Sequence, residues 1–134
     1  MREVHHALRP EGLFIVTVPQ HPWMWSRLDD IVHHKRRYTR AELTRGLLAA
    51  GYDVLYTTSF VTILFPFMMA SRFAARLRAG KGDTRQDFAD QVTLAGPLNR
   101  VFDWAMRVDE SVLRLGVSLP FGGSLLAVAR RRAV

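Results

Sequence analysis

The chain has 134 residues, 19 Lys+Arg against 12 Asp+Glu, a formal charge of +7 and no cysteine. That length gives one domain with a real core and excludes two ordinary ones, and the absence of thiols excludes disulfides and thiolate chemistry. The surplus positive charge favours an anionic partner, whether nucleic acid, phospholipid headgroups or a phosphate-bearing substrate, without choosing among them.

Met1 to His6 have neither the apolar stretch nor the cleavage site of a signal peptide, so a cytoplasmic protein is expected. Residues 2–8, "REVHHAL", set Val4, Ala7 and Leu8 at helical spacing, and "RPEG" stops that helix in a turn. In "GLFIVTVP" the run Leu13 to Val18 is apolar or β-branched throughout, which predicts a strand covered on both faces. Residues 19–39 are then a long connection, the kind that serves as a substrate loop or lid. Thr39 and Glu42 have the spacing of a capping box, so a helix starts near Arg40, with Leu43, Leu47 and Leu48 as its buried stripe and Gly51 as its left-handed stop. "YDVLYTTSFV" reads as a second strand, parallel to the first across that helix.

The stretch from Val54 to Ser71 carries no formal charge and approaches the length of a bilayer span. Its β-branched first half and Pro66 in its second half make a strand followed by a helix the better reading. Residues 79–95 are expected to be a mobile loop. From Gly96 onward Leu98, Val101, Ala105, Val108, Val112 and Leu115 recur at steps of three and four, which predicts a long amphipathic helix ending at Gly116. "GGSLLAVARRR" closes the chain as a last strand with a basic tail.

Chemistry-bearing side chains crowd the 19–39 connection. If "SRLDDIVHH" is helical, Asp30 lies four residues before His34 and Asp29 four before His33, so each carboxylate can hold an imidazole and raise its basicity. That makes His34, supported by Asp30, the candidate general base; exposed ion pairs on a helix surface are the plainer alternative. His21, Trp25, Arg37 and Tyr38 are candidate substrate contacts. Lys35, Arg36 and Arg37 read as a clamp for a phosphate or carboxylate, or as a solvated basic face, and Trp23 and Trp25 as packing of the loop onto the core. Neighbouring histidines without a third and fourth ligand at metal spacing point to no metal. One cation cluster without a nucleic-acid-binding motif makes nucleic acid an unexpected partner.

"EVHHALRPEGLFIVTVP", followed by a capped helix and a strand and joined by the run "HHKRRYTRAEL", resembles the C-terminal half of class I S-adenosylmethionine-dependent methyltransferases. In that family a helix, an L-K/R-P-G-G turn and an apolar strand form the fourth helix and fifth strand of a seven-stranded Rossmann-like sheet. Leu8, Arg9, Pro10 and Gly12 match the turn, and Glu11 replaces its first glycine. "SLLAVARR" would be the family's last strand, antiparallel to the rest. The resemblance implies an α/β fold over residues 1–134, the C-terminal part of a Rossmann-like methyltransferase sheet lacking the N-terminal cofactor-binding half, since no G-x-G-x-G occurs. It further implies S-adenosylmethionine as the cofactor, a small-molecule or lipid-linked acceptor, and a truncated chain inactive by itself that self-associates through the strand 13–18. A rival of another class is a non-catalytic module on a membrane surface. There Phe65, Phe67, Met68 and Met69 precede Arg72, Arg76, Arg78 and Lys81 within residues 63–81, an apolar then basic arrangement suited to an anionic interface.

Overall fold

Leu13–Pro19 (β1), Tyr52–Phe60 (β2) and Ser124–Arg131 (β3) form a three-stranded sheet in the order β1-β3-β2. The central β3 runs antiparallel to both neighbours, so β1 and β2 point the same way without touching. The expected parallel sense of those two strands holds, and β3 lies between them. The structure, a computed structural model, describes residues 1–77 and 96–133; the loop expected over 79–95 lies outside the described residues.

The first helix, α1 (Arg2–Ala7), ends where the sequence predicts, and Glu11 in the following turn adopts φ 64°. The turn is stitched to the end of the sheet: Glu11 N–H donates to the Arg131 carbonyl at 3.2 Å, and Arg131 N–H to the Gly12 carbonyl at 2.9 Å.

After the helix α2 (Arg27–Ile31), α3 (Arg40–Ala49) starts at the predicted capping box, with Glu42 N–H donating to Thr39 Oγ1 and Thr39 N–H to the Glu42 carboxylate at 2.8 Å. It stops at Gly51, whose φ is 88° and where a Cβ would stand 2.7 Å from His5 Nε2, so only glycine fits. Leu43 and Leu47 are fully buried against Tyr52, Leu125, Ala127 and Ala129, while Phe14, Val16 and Val18 close the cluster from β1. Small alanines on β3 let the leucines of α3 reach the sheet. Leu48, expected in the same stripe, is exposed, because one further residue turns its side chain roughly 100° away from Leu47.

Among the described residues only one face of β1 is covered. Leu13 and Ile15, on its other face, are 57% and 63% exposed, which corrects the expectation of two covered faces. An apolar run marks a strand able to be buried on both sides, but α3 packs on the side of Phe14, Val16 and Val18 alone.

At the carboxyl end of β2 come α4 (Phe65–Leu77) and α5 (Gly96–Arg114), joined by an edge-on contact of Phe67 and Phe102 at 5.8 Å. Pro66 sits in the first turn of α4, where its missing N–H has no partner to lose. Buried Asp109 of α5 accepts from Thr62 N–H at 2.6 Å and ties the helix to the strand end. The predicted stripe of α5 is covered only in its middle: Ala105 is buried and Val108 and Val112 half-buried, but Val101 and Leu115 are exposed. The side chain of Leu98 lies outside the described residues. Among the described residues no helix is long and apolar enough to cross a membrane.

Candidate functional site

The excursion that leaves β1 at Pro19 is closed at its base. Tyr38 N–H donates to the Pro19 carbonyl at 2.9 Å and His21 N–H to the Tyr38 carbonyl at 3.2 Å, a parallel bridge between Gln20 and Tyr38. Inside it, a short turn of 3-10 helix (Pro22–Met24) drives Met24 into the interior. The helix α2 that follows unwinds early, because His33 adopts φ 56°.

That break resets the expected pairing. His34 Nδ1 lies 3.0 Å from Asp29 Oδ1, so the carboxylate that holds His34 is Asp29 and not Asp30. Asp30 instead accepts from Trp25 Nε1 at 3.2 Å and is exposed. The register of four residues assumed a continuous helix through His34; a left-handed residue at position 33 swings the ring back to Asp29.

Asp29 is 1% exposed and gathers donors from four places in the chain. Ser26 gives its N–H at 2.9 Å and its hydroxyl at 3.2 Å, His34 its Nδ1, Arg37 its Nε at 2.8 Å, and Arg72 of α4 its guanidinium at 3.1 Å. Arg37 also donates to the Gln20 carbonyl at 2.8 Å, and Arg72 to the Met24 carbonyl at 2.6 Å. Burial by itself would raise the Asp29 carboxyl. The hydrogen bonds from His34, Arg37, Arg72 and Ser26 outweigh it and hold the carboxyl well below the usual carboxylate range. An ionised carboxylate only accepts, so the His34 nitrogen facing it carries the proton, and a neutral ring keeps Nε2 as its basic atom.

A cleft of about 310 Å³ opens beside this knot, at the carboxyl end of β1. Its polar lining is Asp29, His34, Arg37, Arg72 and Ser124, and its apolar lining includes Val32 and Met68. His34 is 42% exposed there. The arrangement pairs a carboxylate-held imidazole with a recess that is partly apolar, which suits proton abstraction from an organic molecule. A larger groove of about 600 Å³ runs between α5 and Phe60, but its Asp103 and Arg107 form an exposed pair along the helix and, among the described residues, gather no group beyond it. Among the described residues no three His, Asp or Glu side chains converge as metal ligands.

Of the other predicted contacts, only Arg37 lines the cleft. His21 makes tilted ring contacts with Trp23 and Phe65, centroids 5.4 and 5.1 Å away, and its Nε2 is buried with no hydrogen-bond partner among the described residues. Burial, and then the positive charge of Arg37, push its pKa down, against a hydrogen bond to the Gly122 backbone. Tyr38 packs on the core under the guanidinium of Arg36, which lies 4.5 Å from its ring and also pairs with Glu42 at 3.0 Å. Lys35, Arg36 and Arg37 therefore do not form one clamp: Lys35 is exposed, Arg36 caps a ring and Arg37 is buried on Asp29. Trp23, expected to pack the loop down, is 55% exposed.

Arg72 and Ser26 were not legible as site residues. Arg72 stands 43 positions from Asp29 in the chain, and its sequence context reads as a basic helix face. Comparison with family models, with curated proteins and with solved structures found no match.

Proposed function

We propose that this chain forms the substrate side of an S-adenosylmethionine-dependent methyltransferase acting on a small-molecule or lipid-linked acceptor. The observation that carries the reading is the Asp29–His34 pair at the mouth of a cleft beyond the carboxyl end of β1, where open α/β sheets hold their ligands. The topology supports it: the last strand lies antiparallel between two strands of common direction. So does the turn before β1, where Glu11 takes a left-handed conformation, φ 64°, at the position of the glycine in the turn it resembles.

The described residues do not fit the cofactor itself. The segments leaving β1 and β2 begin Gln20-His21-Pro22 and Val61-Thr62-Ile63, with no glycine to admit a cofactor to the backbone and no acid to hold a ribose. The step open to this chain is removal of a proton. An acceptor hydroxyl or amine loses its proton to His34 Nε2, the electron pair stays on the acceptor atom, and ionised Asp29 stabilises the imidazolium that forms. Val32 and Met68 suit an apolar portion of the acceptor.

The test is transfer of a labelled methyl group from S-adenosylmethionine by the polypeptide expressed from the native reading frame, offered hydroxyl- and amine-bearing small molecules and lipids. His34→Ala is expected to lower the rate about 10²- to 10⁴-fold. An unchanged rate removes His34 from the chemistry, and absence of both cofactor binding and transfer from every product of that frame removes the methyltransferase reading.

A second reading, a module at a membrane surface, has one observation in its favour. Along α4, Phe67, Met69, Phe73 and Leu77 are exposed, the last two 65% and 75%. Of the cations expected beside them, Arg72 is turned inward to Asp29, while the Arg76 side chain, Arg78 and Lys81 lie outside the described residues. Flotation with anionic vesicles tests it: binding that weakens with salt supports the module.

A further inference from the structure

The end of α2 fixes the main chain of His34 against Asp29. His33 N–H donates to the Asp30 carbonyl at 3.1 Å and His34 N–H to the Asp29 carbonyl at 2.8 Å, the pair of bonds that closes a helix around a left-handed residue. Asp29 and His34 are thus joined twice, once through the backbone and once through Oδ1 and Nδ1. What the backbone leaves open is the twist of the carboxylate. The last torsion of an aspartate is broad, with no sharply preferred value, so the donors around Asp29 decide where its two oxygens point.

Those donors divide between the oxygens. Oδ1 takes His34 Nδ1 and Arg37 Nε, whereas Oδ2 takes the Ser26 N–H, the Ser26 hydroxyl and Arg72 Nη1. Ser26, His34 and Arg37 share the excursion of residues 19–39 with Asp29 and move with it. Among these donors Arg72 alone comes from another element, α4, and its Nη1 also donates to the Met24 carbonyl, so it ties the excursion to a helix outside it. The same helix is seated at the start of β3, where a Cβ on Gly123 would stand 3.2 Å from Sδ and Cε of Met68. Met68 lines the cleft, and Arg72 follows it by four residues on the same side of α4. One helix thus supplies a wall of the recess and the outside hold on the carboxylate.

We propose that Arg72 is a positioning residue for His34: it turns the Asp29 carboxylate so that Oδ1 meets the Nδ1 proton, which leaves the basic lone pair on Nε2. Its part in the reaction rests on the reading of His34 as the base of a methyl transfer; the orientation of the ring by Arg72 does not. Without Arg72, Oδ2 keeps only the Ser26 donors, which belong to the excursion itself, and the carboxylate is free to twist with it. His34 Nδ1 then loses a fixed partner. Arg72 is also one of the hydrogen bonds that hold Asp29 ionised, the state in which the carboxylate can only accept. A misplaced base costs rate in the proton-transfer step, while the apolar walls at Val32 and Met68 still hold the acceptor.

Nitrogen NMR of the neutral His34 ring in the 134-residue chain reads the tautomer directly. The native chain is expected to show the Nδ1–H form, and Arg72→Met a mixture of both forms in a protein that far-UV circular dichroism shows to be folded; Arg72→Gln makes the same comparison where Arg72→Met does not fold. Arg72 reaches Asp29 through Nη1, so Arg72→Lys, which keeps a cationic donor on a flexible stem, is expected to retain the native tautomer. In the polypeptide expressed from the native reading frame, Arg72→Met is expected to lower kcat about 10- to 100-fold with little change in KM. Met68→Ala, which removes a cleft wall, is expected to raise KM instead. An unchanged His34 tautomer in a folded variant without the cation overturns the proposal. So does a loss confined to KM, which makes Arg72 an acceptor contact. Absence of transfer from every product of the frame removes the methyltransferase reading instead, and the tautomer still decides whether Arg72 orients the ring.

Discussion

Leu47 of α3 and Asp29 of α2 are both fully buried, yet they hold the sheet by opposite means. Under α3 the contacts are leucine against tyrosine, leucine and alanine, non-directional and indifferent to pH. At the carboxyl end of β1 one carboxylate collects donors from Ser26, His34, Arg37 and Arg72, and its strength depends on charge state and geometry. Removing those charges from water is expensive, so the ionic knot is a poor way to gain stability and a good way to fix positions. It is also where the imidazole with a basic nitrogen stands. In the proposed function the apolar half is the scaffold for the half that would carry the chemistry.

The comparison can be broken hardest at Asp29. Asp29→Ala leaves the Arg37 guanidinium buried without its counter-ion, and urea unfolding is expected to show a loss of about 3–5 kcal/mol. Replacing the knot as a unit, with Asp29→Leu, Arg37→Met and Arg72→Met together, is expected to recover most of that loss, since apolar side chains of similar volume need no partners. Leu47→Ala, which empties space on the scaffold side, is expected to lose about 2–5 kcal/mol with no such route to recovery.

Acid separates the two halves without mutation. In the folded chain the Asp29 carboxyl sits below its ordinary range, so as pH falls the unfolded chain takes up the proton first. Its contribution is complete above the unfolded value, about 3.9, and is lost as pH drops below it. His21, pushed down by burial and Arg37, adds an earlier loss beginning below about 6.5, because the unfolded chain protonates it first. Unfolding curves of Leu47→Ala should keep the native pH profile at lower stability, whereas Asp29→Asn should lose the part of the acid limb below about 3.9 and keep the earlier loss due to His21.

The smallest expected effect sharpens the comparison at the start of α3. Thr39→Ala removes the hydroxyl that accepts from Glu42 N–H, and about 1 kcal/mol of stability is expected to go with it, with no change in the titration of the Asp29 knot.

What the sequence determined by itself is what depends on near neighbours. The capping box of Thr39 and Glu42, the left-handed stops at Gly51 and Gly116, and the three strands all follow from residues within a few positions of one another, and all are present. The tertiary structure alone decided which carboxylate holds His34, because that turns on a single backbone angle at His33 that no side-chain pattern announces. It alone brought Arg72 to Asp29, since a contact across 43 residues exists only after α4 has docked. It alone left Leu13 and Ile15 in water and set β3 between β1 and β2, because an apolar run states that a strand can be covered, and what covers it depends on where the other elements pack.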